Sequence, residues 1–233
     1  MTVDDKSLIK IQAISGLVFA TFLILHLVNM AIAMFGQVAY DSFQRAMRWY
    51  YQFPVAEIVV VLAASVVHIA AALTRVIRRR RAGKNSHKKI KLPLRVRLHR
   101  YSGYFIVVVF IGHVVATRGP SLLLGKLVDM SYLSYSIAIL PLFFYPYYML
   151  LGIAGLYHLT NGVIFALRVL NVRLPKSATA PRSHLFWIWI GLCGIIVLVS
   201  VLSISGNIFD LDTSRFDEWK MFASRYVPVS LLE

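Results

Sequence analysis

Apolar positions gather into five long runs along this chain, and the stretches between them are short, basic or aromatic. The first run extends from about residue 8 to 35, with its uninterrupted part starting at Ala13 because Lys10 and Gln12 break its beginning. The others cover about residues 54–77, 101–117, 147–167 and 184–204. A helix of about 20 apolar residues crosses a bilayer core. The pattern therefore predicts an all-α integral membrane protein: five transmembrane helices, an up-down four-helix bundle plus a fifth, over residues 1–205, followed by a tail, 206–233. Gly36 to Phe53, with Trp49, Tyr50 and Tyr51, reads as a boundary connection. Pro141 and Pro146 are expected to end a surface piece before the fourth helix.

Each of the first four runs carries one histidine: His26, His68, His113 and His158, separated by 42, 45 and 45 residues. An imidazole in hydrocarbon has no water to satisfy its ring nitrogens, so each one asks for a partner. By position along alternating helices, His26 and His113 lie in the outer half and His68 and His158 in the inner half. Both pairs come from parallel helices, which are diagonal neighbours in such a bundle. A flat macrocycle between diagonal helices takes one imidazole on each face. The pattern thus predicts two haem b groups, His26 and His113 holding the outer iron and His68 and His158 the inner one, roughly 10 Å or more apart in depth.

A short repeat accompanies the ligands. Ser15-Gly16 precedes His26 by the same interval as Ser102-Gly103 precedes His113, and eleven residues is close to three helical turns. Ala63, Ala64, Ser65, Gly152 and Gly155 keep side chains small beside the inner pair, which lets a ring or helix approach. Arg118 near the outer end, and Arg75 and Arg168 near the inner end, are candidates to pair haem propionates. His87, His99 and His184 lie in basic loops or at run ends, where a solvated role is the default.

Composition changes the picture in one respect. The chain of 233 residues is 58% hydrophobic with mean hydropathy +0.69, so its formal charge of +15 belongs to loops beside a membrane and not to a nucleic-acid surface. Twelve Lys or Arg and no acid lie between Arg75 and Arg100. The positive-inside rule then places the N-terminus and both basic loops inside and the tail outside. The first run reads as a retained helix and not a signal peptide. The single Cys193 excludes an internal disulfide and a cysteine-ligated iron-sulfur cluster.

The motifs SG-x9-H in the first run, HRYSGY with GHVVATR in the third and YHLTNG in the fourth, with His68 in the second, resemble the cytochrome b membrane anchor of succinate dehydrogenase and fumarate reductase, in its five-helix, two-haem form. The likeness covers about residues 8–205. It implies the four histidines as axial ligands in the same pairing, and a non-catalytic-core subunit carrying electrons between an iron-sulfur subunit, itself bound to a flavoprotein, and membrane quinone. The membrane would be a bacterial plasma membrane or a mitochondrial inner membrane. Ser15, Ser102, His99 and Tyr101 become candidates for the quinone and Glu57 for proton exchange. Leu156 and Tyr157 stand where some relatives have a membrane-embedded acid. Two other readings remain: a stand-alone haem-binding membrane protein related to this anchor, and a transporter using the histidines as a proton relay.

Overall fold

The computed structural model describes residues 4–83, 92–180 and 182–226. The described residues form helices and turns, with no strand among them. Five helical stretches are long and apolar enough to cross a membrane: Asp5–Phe35, Pro54–Ala82, Leu94–Leu124, Pro141–Val169 and His184–Ile204. His87 with much of the basic loop, residues 84–91, and the end of the tail, 227–233, lie outside the described residues.

Helix α1 (Asp5–Ile32) ends in a 3-10 turn, and Gly36 at φ 96° redirects the chain into α2 (Gln37–Tyr51). The boundary connection is thus largely a helix. Its Tyr40, Phe43, Gln44 and Met47 recur at helical spacing on the less exposed side, while Val38, Ser42, Arg45 and Trp49 are exposed. After a turn at Pro54–Ala56 comes a π-helical stretch, Glu57–Ala63, with its wider hydrogen bonding, and then α3 (Ala64–Gly83), which carries His68.

The third and fourth apolar runs are parts of longer helices than their composition suggests. Helix α4 (Leu94–Leu124) continues through Pro120, and α6 (Pro141–Val169) through Pro146. The piece before Pro141 ends at Ile139, as expected, and Pro141 itself starts α6, where its missing N–H is no loss, whereas Pro146 lies inside that helix and ends nothing. The expected surface piece before it is a separate helix, α5 (Met130–Ile139), most of whose residues are buried. Helices α7 (His184–Ile204) and α8 (Phe216–Ala223) complete the order.

The chain forms two compact units. Unit one contains residues 1–26, 48–105 and 155–190. Unit two contains residues 27–47, 106–154 and 191–233. In unit two, Ala33, Tyr40, Met130, Leu133, Ile137 and Ile204 form a buried apolar core. Asp41 of α2 accepts the Met130 N–H at 2.9 Å, placing a carboxylate at the N-terminus of α5. Gly152 of α6 faces α7 closely, since a Cβ there would lie 2.8 Å from a methyl of Val197. Its small size serves helix packing in unit two and not the ring of His158.

Helix α8 folds the expected tail back onto α5. Trp219, fully buried, donates its indole N–H to Ser131 Oγ at 2.7 Å, and Arg215 lies over the same indole at 4.4 Å. Arg215 also pairs with Asp129 and Glu218, and Lys126 lies 3.3 Å from Glu218. The guanidinium and ammonium beside it hold the Glu218 carboxyl below its ordinary range, the Arg215 hydrogen bond being the largest cause.

Candidate functional site

The histidines assigned to the inner pair meet inside unit one. The rings of His68 on α3 and His158 on α6 lie 6.4 Å apart between centroids with their planes at 90°. His68 Nδ1 is 2.9 Å from the backbone carbonyl oxygen of Gln12, and His158 Nδ1 is 3.2 Å from that of His99. A carbonyl only accepts, so in each ring Nδ1 carries a proton, and in the neutral imidazole Nε2 is then the nitrogen with the lone pair.

The same device creates both contacts. Gly16 stands four residues after Gln12, and Gly103 stands four after His99. A Cβ on Gly16 would lie 2.7 Å from His68 Nδ1, and one on Gly103 would lie 2.8 Å from His158 Cε1. Without side chains there, an imidazole from the facing helix reaches a carbonyl that already serves its own helix. The Ser-Gly repeat therefore lies against the inner histidines. The serines beside the glycines bond back to their own helices: Ser15 Oγ donates to the Ile11 carbonyl at 2.7 Å and Ser102 Oγ to that of His99 at 3.0 Å. Ser102 Oγ is also 3.3 Å from His158 Nδ1.

His68 and His158 are the two side chains here that could hold a metal ion, each through Nε2 with its ring oriented by a backbone carbonyl at Nδ1. Among the described residues no three His, Cys, Asp or Glu gather that could hold a metal ion by themselves.

The other expected residues fall as follows. His26 stacks on Phe22 of its own helix at 5.7 Å and belongs to unit one, whereas His113 belongs to unit two. The outer pairing rests on depth along the helices. His113 Nδ1 lies 3.2 Å from the Tyr147 hydroxyl. Arg75 hydrogen-bonds the Gln12 side-chain carbonyl, next to the backbone carbonyl that holds His68, and Arg118 donates to Ser121 Oγ at 2.6 Å. His99 is not a solvated loop residue: its ring stacks on His158 at 4.3 Å and 10°, with the edge of Phe165 at 5.1 Å. Tyr101 is exposed, and Glu57 opens the π-helical stretch.

Sequence reasoning missed Gln12, Tyr147 and above all Arg95 with Asn161. Arg95 is 3% exposed, and its Nε donates to Asn161 Oδ1 at 2.6 Å. Asn161 stands out as a polar residue within the fourth apolar run, whereas Arg95 is one basic residue among many in the stretch 75–100 and nothing in the sequence marks it. Comparison with protein-family models, with curated proteins and with solved structures finds no match for this chain.

Proposed function

We propose that this chain is a two-haem b membrane protein of the succinate dehydrogenase and fumarate reductase anchor type, moving electrons between an iron-sulfur partner and membrane quinone. The observation that carries the reading is the matched presentation of His68 and His158, each fixed through Nδ1–H on a carbonyl exposed by a glycine, with the two rings 6.4 Å apart. Haem, when bound, supplies a one-electron couple. The chain's own residues do the rest. Gln12 and His99 orient the inner imidazoles and raise their basicity through the carbonyl contacts, which lowers the potential of a metal they ligate. The apolar helices exclude water, and Arg75 stands one turn-pair beyond His68 as a partner for an acidic substituent. His26 and His113 are the proposed outer ligands.

Charge supports the orientation. The residues before Ala13 and the stretches 75–100 and 168–183 hold 18 of the 25 Lys and Arg, so the positive-inside rule assigns these segments to the side of synthesis. Five helices long and apolar enough to cross a membrane support this reading. The same basic surface suits an acidic face on an iron-sulfur partner.

The test is haem content in single variants. His68→Ala and His158→Ala each remove one ligand of the inner iron. Each should halve the haem per chain, read by pyridine haemochrome absorbance, and leave the outer band. Full wild-type haem in both variants would refute the inner assignment. Co-purification of a flavoprotein and an iron-sulfur subunit from the native membrane supports the anchor reading. Haem without those partners supports a stand-alone haem protein.

A further inference from the structure

The guanidinium of Arg95 is buried, the residue being 3% exposed. Its Nε donates to Asn161 Oδ1 at 2.6 Å, and its Nη1 to the carbonyls of Ala178 at 2.7 Å and Ala180 at 3.2 Å. The guanidinium lies 3.7 Å over the ring of Phe186, and the Arg95 carbonyl accepts from the Tyr157 hydroxyl at 3.1 Å. These contacts fasten the loop after α6, and α7 behind it, to the start of α4. They leave two things undone. Nη2 is buried with no partner, and no ion pair joins the group to a carboxylate among the described residues.

Unit one holds three acids, Asp4, Asp5 and Glu57, and Asp5 is paired with Arg78 at 3.0 Å. One helical turn after Arg95, His99 Nδ1 is a second buried polar atom without a partner. Both lie on one face of α4, since positions four apart share a face. Buried polar groups of this kind are ordinarily satisfied, and each one left over needs an explanation. A trapped water would meet the hydrogens of Nη2 and leave the charge uncompensated in a low-dielectric interior. An oxyanion meets both needs, and the planar fork of arginine suits two oxygens of one group.

We propose that Arg95, with His99 beside it, forms a receptor for an anionic oxygen group that this chain does not itself supply. Its chemistry is that of a carboxylate or a phosphate, carried by a tetrapyrrole or by a phospholipid. The two sources share the recognition, and the site stands on its geometry whether or not His68 and His158 hold haem.

The experiment compares the full chain, purified in a maltoside detergent, with Arg95→Gln, Arg95→Lys and the exposed control Arg97→Gln. Organic phosphorus per chain is measured after exhaustive washing, and affinity is measured for haem and for haem dimethyl ester, whose carboxylates are blocked. A phospholipid source predicts that Arg95→Gln loses one equivalent of phosphorus at unchanged haem affinity. A carboxylate source predicts that Arg95→Gln weakens haem roughly tenfold or more and leaves the dimethyl ester unaffected. In either case Arg95→Lys lies between, because it keeps the charge and loses the fork, and Arg97→Gln matches wild type. Wild-type phosphorus together with wild-type affinity for both haems in Arg95→Gln would overturn the proposal. Should that variant not fold, the wild-type chain decides: no retained phosphorus and equal affinity for haem and its dimethyl ester overturn it equally. A wild-type chain that binds neither haem and retains phosphorus would sink the haem reading and leave this receptor standing.

Discussion

An imidazole can bond a helix carbonyl on a neighbouring helix only where the residue one turn later leaves room, and this chain meets that condition twice. Gly16 uncovers the Gln12 carbonyl for His68, and Gly103 uncovers the His99 carbonyl for His158. Gly16→Ala and Gly103→Ala each place a Cβ under 3.0 Å from a ring atom. Overpacking of this kind costs about 1–3 kcal/mol. Each variant should therefore hold the inner haem roughly tenfold or more weakly while remaining folded, read by titrating haem into the apo chain. Unchanged affinity in both would mean that the rings do not use these carbonyls. The four histidines were legible in the sequence because ionisable residues stand out in apolar runs. The carbonyls that orient His68 and His158 were not, because every residue carries one and only the pairing of helices says which is used. The Ser-Gly repeat was legible as a pattern, but its object was not: the glycines face histidines on other helices, and the serines bond their own. His99 reads as an end-of-run residue until α4 is seen to start at Leu94, a full turn earlier.

Helices ran longer than the apolar composition suggested, and the prolines explain how. Pro120 has no N–H for the carbonyl of Ala116, one turn back, and the Tyr132 hydroxyl donates to that carbonyl at 2.9 Å instead. Burial pushes the Tyr132 phenol up to about 12, so it remains a neutral donor across the working range. Tyr132→Phe leaves the carbonyl without its donor and should lower stability by about 1–2 kcal/mol. In a Pro120→Ala background the restored N–H serves that carbonyl, and the cost should largely vanish. A double-mutant cycle on thermal unfolding measures this coupling, and additive effects would contradict it. Helix α2 was readable from Tyr40, Phe43, Gln44 and Met47 at helical spacing, yet its aromatic and basic residues resemble a boundary loop. The tail was not readable as a helix clasp, because Trp219 and Arg215 find Ser131 and Asp129 some 86–88 residues away. Glu218 has a lowered pKa in the folded chain, so the stability it adds is present above its ordinary value of 4.5 and is lost as pH falls through its folded value. Docking of α8 should accordingly loosen below pH 4.5. Hydrogen exchange of residues 216–223 would show it, and Glu218→Gln should exchange faster at neutral pH and lose the acid step.

At the scale of the whole chain, five apolar helices and a charge distribution concentrated in one unit follow directly from the order of residues. The helical class and the five long apolar helices were legible for that reason, since a helix satisfies its own backbone groups and needs only length and hydrophobicity to be recognised. What a long apolar helix does not announce is its neighbour, and the division into two compact units became visible only with the structure. The central claim is that His68 and His158 hold a redox-active haem fed by a dehydrogenase partner. Its most direct test is one optical sample: the tagged chain taken from its native membrane in mild detergent, with difference spectra recorded after succinate and again after dithionite. The account predicts b-type bands partly reduced by succinate and further reduced by dithionite, with the increment from the inner site missing in His158→Ala. Bands that answer only to dithionite would contradict the dehydrogenase partner, and the absence of b-type bands in either step would contradict the haem itself.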